Sequence, residues 1–397
     1  MLMGITKCMI SFILTFVTLF LLSLIPFSLS PPPLTLAGKG LAHSNSTSTL
    51  PKFAYLISGS KGDLQRLKRT LRALYHPLNF YLLHLDLEAP THEREKLAEH
   101  ISKDPVFAEV RNVEVVEKAN LVTYRGPTML ANTLHAISRL LRTANWDWFI
   151  NLSASDYPLL TQDDLIHAFS KLPRDLNFIQ HTSSLGWKFN KRAKPIVIDP
   201  GLYKVKKSEI IWTSQQREIP TAFKLFTGSA WVMLSRAFAE YCILGYENLP
   251  RTTLLYYTNF ISSPEGYFQT VICNSHGFKN TTVNHDLHYI AWDNPPKQHP
   301  IALTNLDYRR MVKSYAPFAR KFRRNEPVLD RIDRDLLKRK ANQFPYGGWC
   351  AMDEDGNKPC SEFRGKILVK PGFGSRRLRA LLTRALSKRN MGRRQCK

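Results

Sequence analysis

Between residues 53 and 152 the chain alternates apolar runs of strand length with amphipathic stretches, and this alternation limits the possible folds more than any other feature. Residues 53–58 form a first run, followed by the turn Gly59-Ser60-Lys61-Gly62 and a helical pattern through Tyr75. A second run, 80–85, ends at Asp86; a helical pattern from Glu93, a Val-rich strand over 113–116 and a helix over 127–141 follow, and the run 146–152 closes the series. Apolar strands separated by helices predict an α/β fold with a mostly parallel sheet covered on both faces, and ligands then bind at the carboxyl ends of the strands. Ser58, Asp86 and the stretch Ser153-Ala154-Ser155-Asp156 stand at those ends. Thr161 is expected to start a further helix with Asp164 in capping-box position, and strands are expected over 178–181 and 228–235. Residues 187–203, rich in Trp, Lys and Arg, read as a long functional loop.

The 397 residues suit one large catalytic body with appendages, and 44% hydrophobic content excludes a disordered chain. Residues 9–29 are almost wholly apolar, a length near the minimum for a membrane span. A cleaved signal peptide is the alternative, but the Pro31-Pro32-Pro33 run after Ser30 is a poor cleavage context, so an uncleaved anchor is expected. Residues 1–8 would then be a short cytosolic tail, 30–51 a flexible stem, 52–362 a lumenal catalytic domain and 363–397 a basic tail. Asn45 and Asn280 lie in sequons that a lumenal body could carry glycosylated. Asn151 also matches, by chance, after a buried-looking strand.

Of six cysteines, Cys350 and Cys360 flank a turn-rich loop and are expected to form a local disulfide, with Cys242 and Cys273 a plausible second pair. No Cys/His cluster of metal-ligand spacing is visible. Half of the +24 net charge comes from the tail, where twelve Lys and Arg between 364 and 397 meet no acid. Such a run reads as a solvated face or a tether to anionic surfaces, and a nucleic-acid partner is not expected. The cluster from Arg309 to Arg324 interleaves seven basic residues with aromatics and suits an anion site at the edge of a core.

One carboxylate, Glu265, stands at a Pro-Glu-Gly turn inside an apolar and aromatic stretch. Two roles fit it. It can cap the helix starting at Tyr267, or act as a general base whose charged form the apolar surroundings disfavour.

Four collinear stretches, Phe80-Tyr-Leu-Leu-His-Leu-Asp86, Asn151-Leu-Ser-Ala-Ser-Asp-Tyr-Pro-Leu159, Gly228-Ser-Ala-Trp231 and Ser263-Pro-Glu-Gly-Tyr-Phe268, resemble the core-2/I-branching family of Golgi glycosyltransferases. Tyr-Tyr-Thr-Asn-Phe260, Asn284-His-Asp-Leu-His-Tyr289 and Gly347-Gly-Trp-Cys350 resemble its plant branch, which transfers glucuronic acid to the galactans of arabinogalactan proteins. The resemblance implies a GT-A-type, Rossmann-like nucleotide-sugar fold and an inverting transfer from a UDP-sugar with no metal and no other cofactor. Asp86-Leu87-Glu88 is then a chance likeness to the metal-binding Asp-x-Asp motif. The resemblance gives Glu265 the base role, Lys321 the diphosphate, Lys297 the second phosphate cation, and Ser58 and Asp86 the nucleoside. Asp156 would order the sugar pocket or close its own turn. Trp187, Lys188, Arg192 and Trp292 would contact the acceptor or serve as scaffold. The animal members of the family read Pro-Asp-Glu where this chain reads Pro264-Glu265, so one acidic residue is missing. UDP-glucuronate as donor, β-galactan as acceptor, a Golgi membrane location and complexes with other Golgi transferases complete what the resemblance implies. Another UDP-sugar, xylose or N-acetylglucosamine, and an inactive galactan-binding protein are the alternatives.

Overall fold

The computed structural model describes residues 50–397 apart from 246, 296, 298, 351–359, 361, 362, 364 and 366. The expected anchor over 9–29 and the Asn45 sequon lie outside the described residues; within them, no helix is long and apolar enough to cross a membrane.

The first half follows the alternation: β1 (Phe53–Gly59), α1 (Leu64–Leu74), β2 (Phe80–Leu85), α2 (Thr91–Lys103), α3 (Pro105–Val110), β3 (Val113–Val115), α4 (Thr128–Thr143) and β4 (Trp148–Ser153). Strand β1 is buried along nearly its whole length, as an apolar run without alternation requires when both sheet faces are covered. In α1, Leu64, Leu67, Leu71 and Leu74 recur at helical spacing and form one buried stripe. The short α3, not foreseen, has Pro105 in its first turn and Asp104 as cap, whose side chain accepts from the N–H groups of Val106 and Phe107.

Then come β5 (Asp156–Pro158), α5 (Gln162–Phe169), β6 (Asn177–Thr182), β7 (Pro195–Ile198), β8 (Ile211–Gln216), β9 (Thr227–Ser235), α6 (Arg236–Leu244), α7 (Leu249–Tyr257) and α8 (Tyr267–Asn274). The last elements are β10 (Thr282–Val283), β11 (His288–Ile290), α9 (Tyr308–Ser314), β12 (Phe318–Arg320), α10 (Pro327–Ile332), α11 (Phe373–Ala385) and α12 (Lys388–Arg394).

Seven strands form the main sheet in the order β10-β6-β9-β4-β1-β2-β3. Strands β1, β2, β3, β4, β6 and β10 share one direction and β9 is antiparallel to both β4 and β6, so the sheet is mostly parallel, as expected, with one reversed strand. The reason is local. A parallel return needs a crossover, usually helical, and between Thr182 and Thr227 the described chain has no α-helix. Part of the expected loop over 187–203 is instead a π-helical turn at Phe189–Ala193 and strand β7, which pairs with β8 in a separate ribbon.

A second, three-stranded sheet, β11-β12-β5, sets β12 antiparallel to β5 and places Arg320 opposite Asp156. Strands of three residues carry no periodicity, so nothing in the sequence announced it.

The basic tail is a correction. Helix α11 buries Leu378, Leu381 and Leu382 and packs on α5. Asp164, expected to complete a capping box on its own helix, accepts from the N–H groups of Gly372 at 2.6 Å and Ser375 at 2.9 Å, so it caps α11. The charge count hid the leucine spacing. Replacing Leu378, fully buried, by Ala is expected to cost about 2–4 kcal/mol. Thermal unfolding checks this, and an unchanged midpoint would show that α11 is not part of the cooperative core.

Cys350 pairs with Cys360, while Cys273 pairs with Cys396, not with Cys242. Cys242 is a free, buried thiol on α6. The Cα atoms of Cys273 and Cys396 are 5.1 Å apart, within reach of a disulfide, a proximity created only by the fold of the tail. Asn151 is buried, its amide donating to Ala230 O and accepting from Val232 N, whereas Asn280 is exposed.

Candidate active site

The carboxyl ends of β1, β2 and β4 lie side by side, which brings together the polar residues expected there. Ser58 pairs in register with Ser153 and accepts through Oγ from Asn132 on α4. Asp86 is buried; Oδ1 accepts from Glu88 N at 2.9 Å and Oδ2 from Val122 N at 2.9 Å. Lys207 Nζ, which no motif marked, lies 3.8 Å from Asp86 and 3.4 Å from Glu88. A lysine therefore flanks the Asp86-Leu87-Glu88 pair at the end of β2.

Asp156 is fully enclosed and has three partners: Ser153 N at 2.6 Å, Trp231 Nε1 at 2.6 Å and Arg320 Nε at 3.0 Å. The Arg320 guanidinium lies over the Trp231 ring, 3.5 Å from its centroid. The bond from Ser153 N closes the turn of Asp156 itself, and the same carboxylate holds Trp231 and Arg320. Lys321 follows directly. Its segment is fixed by Phe322 N donating to Ser155 O at 3.0 Å and by Arg66 Nη2 donating to Ser155 Oγ and Phe322 O, both at 2.8 Å. Among the described residues no carboxylate lies within ion-pair distance of Lys321. Lys297 differs: it is exposed and pairs with Asp293 on its own loop at 3.8 Å.

Glu265 ends a 3-10 turn, Ser263–Glu265, and α8 begins two residues later. Buried Ser263 holds that turn, its hydroxyl donating to the carbonyls of Tyr257 and Phe260. Gly266 is required by close approach, since a Cβ there would stand 2.5 Å from the Tyr257 hydroxyl oxygen. The Glu265 side chain makes no cap bond to α8. Its Oε2 takes Arg192 Nη1 at 2.5 Å and Lys188 Nζ at 3.5 Å, and among the described residues Oε1 has no hydrogen bond. The apolar setting expected for this carboxylate is thus replaced by two cations, both from the π-turn segment after β6.

Burial pulls the Lys188 ammonium below the ordinary lysine range; Glu265 opposes that and Arg192 adds to it. Lys188 also donates to Thr227 Oγ1 at 3.3 Å, tying the segment to β9. Tyr124 belongs to the same cluster. Although Tyr124 is 46% exposed, partial desolvation raises its pKa, Glu265 raises it further, and Arg320 and Arg192 oppose, so this phenol lies within electrostatic reach of Glu265 and Arg320. Trp187, 65% exposed, lies under the Arg192 guanidinium at 5.2 Å, and Trp292 is 49% exposed.

Arg320, Tyr124 and Lys207 were missed. Arg320 stood in the basic cluster beside Lys321 and could have been paired with it; Tyr124 and Lys207 had no sequence signal. The one group of three candidate metal ligands among the described residues, His181, Cys273 and Cys396, has both sulfurs joined in a disulfide, and His181 Nε2 accepts from Cys396 N. It does not fit a metal in this form.

A family model described as Core-2/I-Branching enzyme matches residues 53–312. The chain is similar to Beta-glucuronosyltransferase GlcAT14A of Arabidopsis thaliana, 62% identical over 349 residues, covering 87% of this chain and 78% of that protein. It is 50% identical over 382 residues to Beta-glucuronosyltransferase GlcAT14C of Arabidopsis thaliana, covering 95% and 94%. Xylosyltransferase 2 of Rattus norvegicus is 29% identical over 310 residues, covering 72% of this chain and 34% of that one.

Proposed function

Since this chain belongs to the core-2/I-branching enzyme family and is a glycosyltransferase, we propose that it moves glucuronic acid from UDP-glucuronate to β-galactan chains, with inversion and without a metal ion. The observation that carries this reading is the cationic frame around one carboxylate: Glu265 with Arg192 and Lys188, and Arg320 with Lys321 beside it. The similarity to the two Arabidopsis β-glucuronosyltransferases supports the choice of donor.

An inverting transfer is a single displacement and needs one base. Glu265 Oε1 takes the proton from a galactose hydroxyl as that oxygen attacks the anomeric carbon, and UDP leaves from the opposite face. Negative charge grows on the diphosphate as the bond breaks, and cations already in place stabilise it without reorganisation. Lys321 serves that role, with Arg320 as the second cation in place of Lys297. A glucuronate carboxylate adds another negative charge, which the same frame suits. Lys207 beside Asp86 and Glu88 supports metal independence, because its ammonium already stands where a cation would meet these acids.

The same reading places the protein in the Golgi membrane as a single-pass type II protein with the body lumenal. Two disulfides and an exposed Asn280 sequon suit an oxidising, glycosylating compartment.

Product analysis with β-linked galactan oligosaccharides and UDP-glucuronate, UDP-xylose or UDP-N-acetylglucosamine tests the proposal. Glucuronate is expected to be transferred in preference to the other sugars, and at the same rate in EDTA. Preference for another donor sinks the donor assignment, and recovery only on adding Mn²⁺ sinks the metal-free mechanism.

A further inference from the structure

We infer that the C-terminal helices form a second glycan-binding surface, selective for chains that already carry carboxylates. The inference rests on the proposed glucuronosyl transfer for the identity of the acidic sugar. Arg376, Arg379, Arg384, Lys388, Arg393 and Arg394 are exposed on α11 and α12, and the segment from 364 to 397 has no acidic residue. Among the described residues, none of these six cations is ion-paired. Unpaired guanidinium groups at this density call for an anionic partner, and Arg matches carboxylates in a two-pronged geometry.

The surface is concave. Two cavities flank α11: one of about 390 Å³, lined by Arg384, Arg394 and Asn390, and one of about 220 Å³, lined by Arg379 and Lys171. Among the described residues neither is lined by Asp or Glu. The larger one has fixed walls. Cys396 is bonded to Cys273, the Gln395 amide donates to Asn280 O at 2.8 Å and Thr282 O at 3.0 Å, and Asn284 Nδ2 donates to Arg394 O at 3.1 Å. The backbone of Arg394 is therefore held on the wall that faces α11, which leaves only its side chain for a ligand to order.

An acidic lipid surface fits less well. A helix that lies on a membrane inserts its apolar face, and α11 has Leu378, Leu381 and Leu382 buried in the protein. A single-stranded nucleic acid also fits less well, because no Phe, Tyr or Trp lines either cavity to stack a base. A branched galactan bearing glucuronates offers separated carboxylates and many hydroxyls, which suits Arg and amide groups around hollows.

The test uses the full-length enzyme in detergent and a chemically capped probe, a β-1,6-galactan oligosaccharide carrying glucuronate, against the same oligosaccharide uncapped. At about 0.1 M salt the acidic probe is expected to bind about tenfold more tightly. The preference is expected to disappear in the double variant Arg384→Ala/Arg394→Ala, with the unfolding midpoint and the initial rate on a short neutral acceptor unchanged. Equal binding of the two probes, or a preference that survives the double substitution, overturns the inference. So does loss of binding to phosphatidylserine vesicles or to single-stranded RNA in the double variant with no preference for the acidic probe. Because the probe is made chemically, failure of glucuronate transfer to the short acceptor would strike the proposed function alone and leave the binding result standing.

Discussion

Glu265→Gln lowers kcat for glycosyl transfer by about 10²–10⁴-fold while UDP binds as in the parent enzyme. The expectation follows from the contacts of the carboxylate. Both cations meet Oε2, and a glutamine keeps the shape of the side chain and a carbonyl oxygen for Arg192, so the segment carrying Lys188 and Arg192 stays close to its place. What is lost is an acceptor for the proton. Donor affinity does not depend on it, and acceptor affinity changes less than turnover, so the loss falls on kcat. Steady-state kinetics with titration of UDP checks this, and a variant that keeps its turnover would remove Glu265 from the chemistry and leave it as an anchor for the cationic segment.

The second large effect separates two neighbouring cations. Lys321→Ala is expected to lower kcat by about 10²–10³-fold, the usual cost of removing one preorganised group from a site of developing charge, with the unfolding midpoint unchanged. Arg320→Ala is expected to destabilise the fold as well. It would leave Asp156 enclosed with only Ser153 N and Trp231 Nε1, and breaking a buried pair in this way costs about 3–5 kcal/mol. Measuring both variants by thermal unfolding and by kinetics distinguishes them. If Lys321→Ala turned over normally, the diphosphate would have to be held elsewhere.

The site was legible in proportion to how local its signals are. Ser58, Asp86 and Asp156 could be placed together from the sequence because the carboxyl ends of adjacent parallel strands lie side by side, and strand ends can be read from apolar runs. Glu265 stood out as one acid in an apolar segment. Yet its true neighbours, Arg192 and Lys188, come from a segment more than seventy residues earlier, and local composition therefore described the wrong environment. Lys297 was placed among the phosphate cations only as the nearest in register to a second family cation, and its exposed side chain pairs with Asp293.

By itself the sequence determined the α/β alternation, the polar residues at the carboxyl ends of the strands, the single acid at the Pro-Glu-Gly turn and the family, because each is carried by neighbouring residues or by collinear motifs. Only the tertiary structure decided that β9 runs antiparallel, that Cys273 reaches Cys396, that Asp156 holds Arg320, and that a tail rich in arginine is a packed helix with a cationic outer face. These depend on contacts between residues far apart in the chain, 211 residues between Asp164 and Ser375 and 215 between His181 and Cys396, and closing such distances is settled by the packing of the whole chain, not by any window of it.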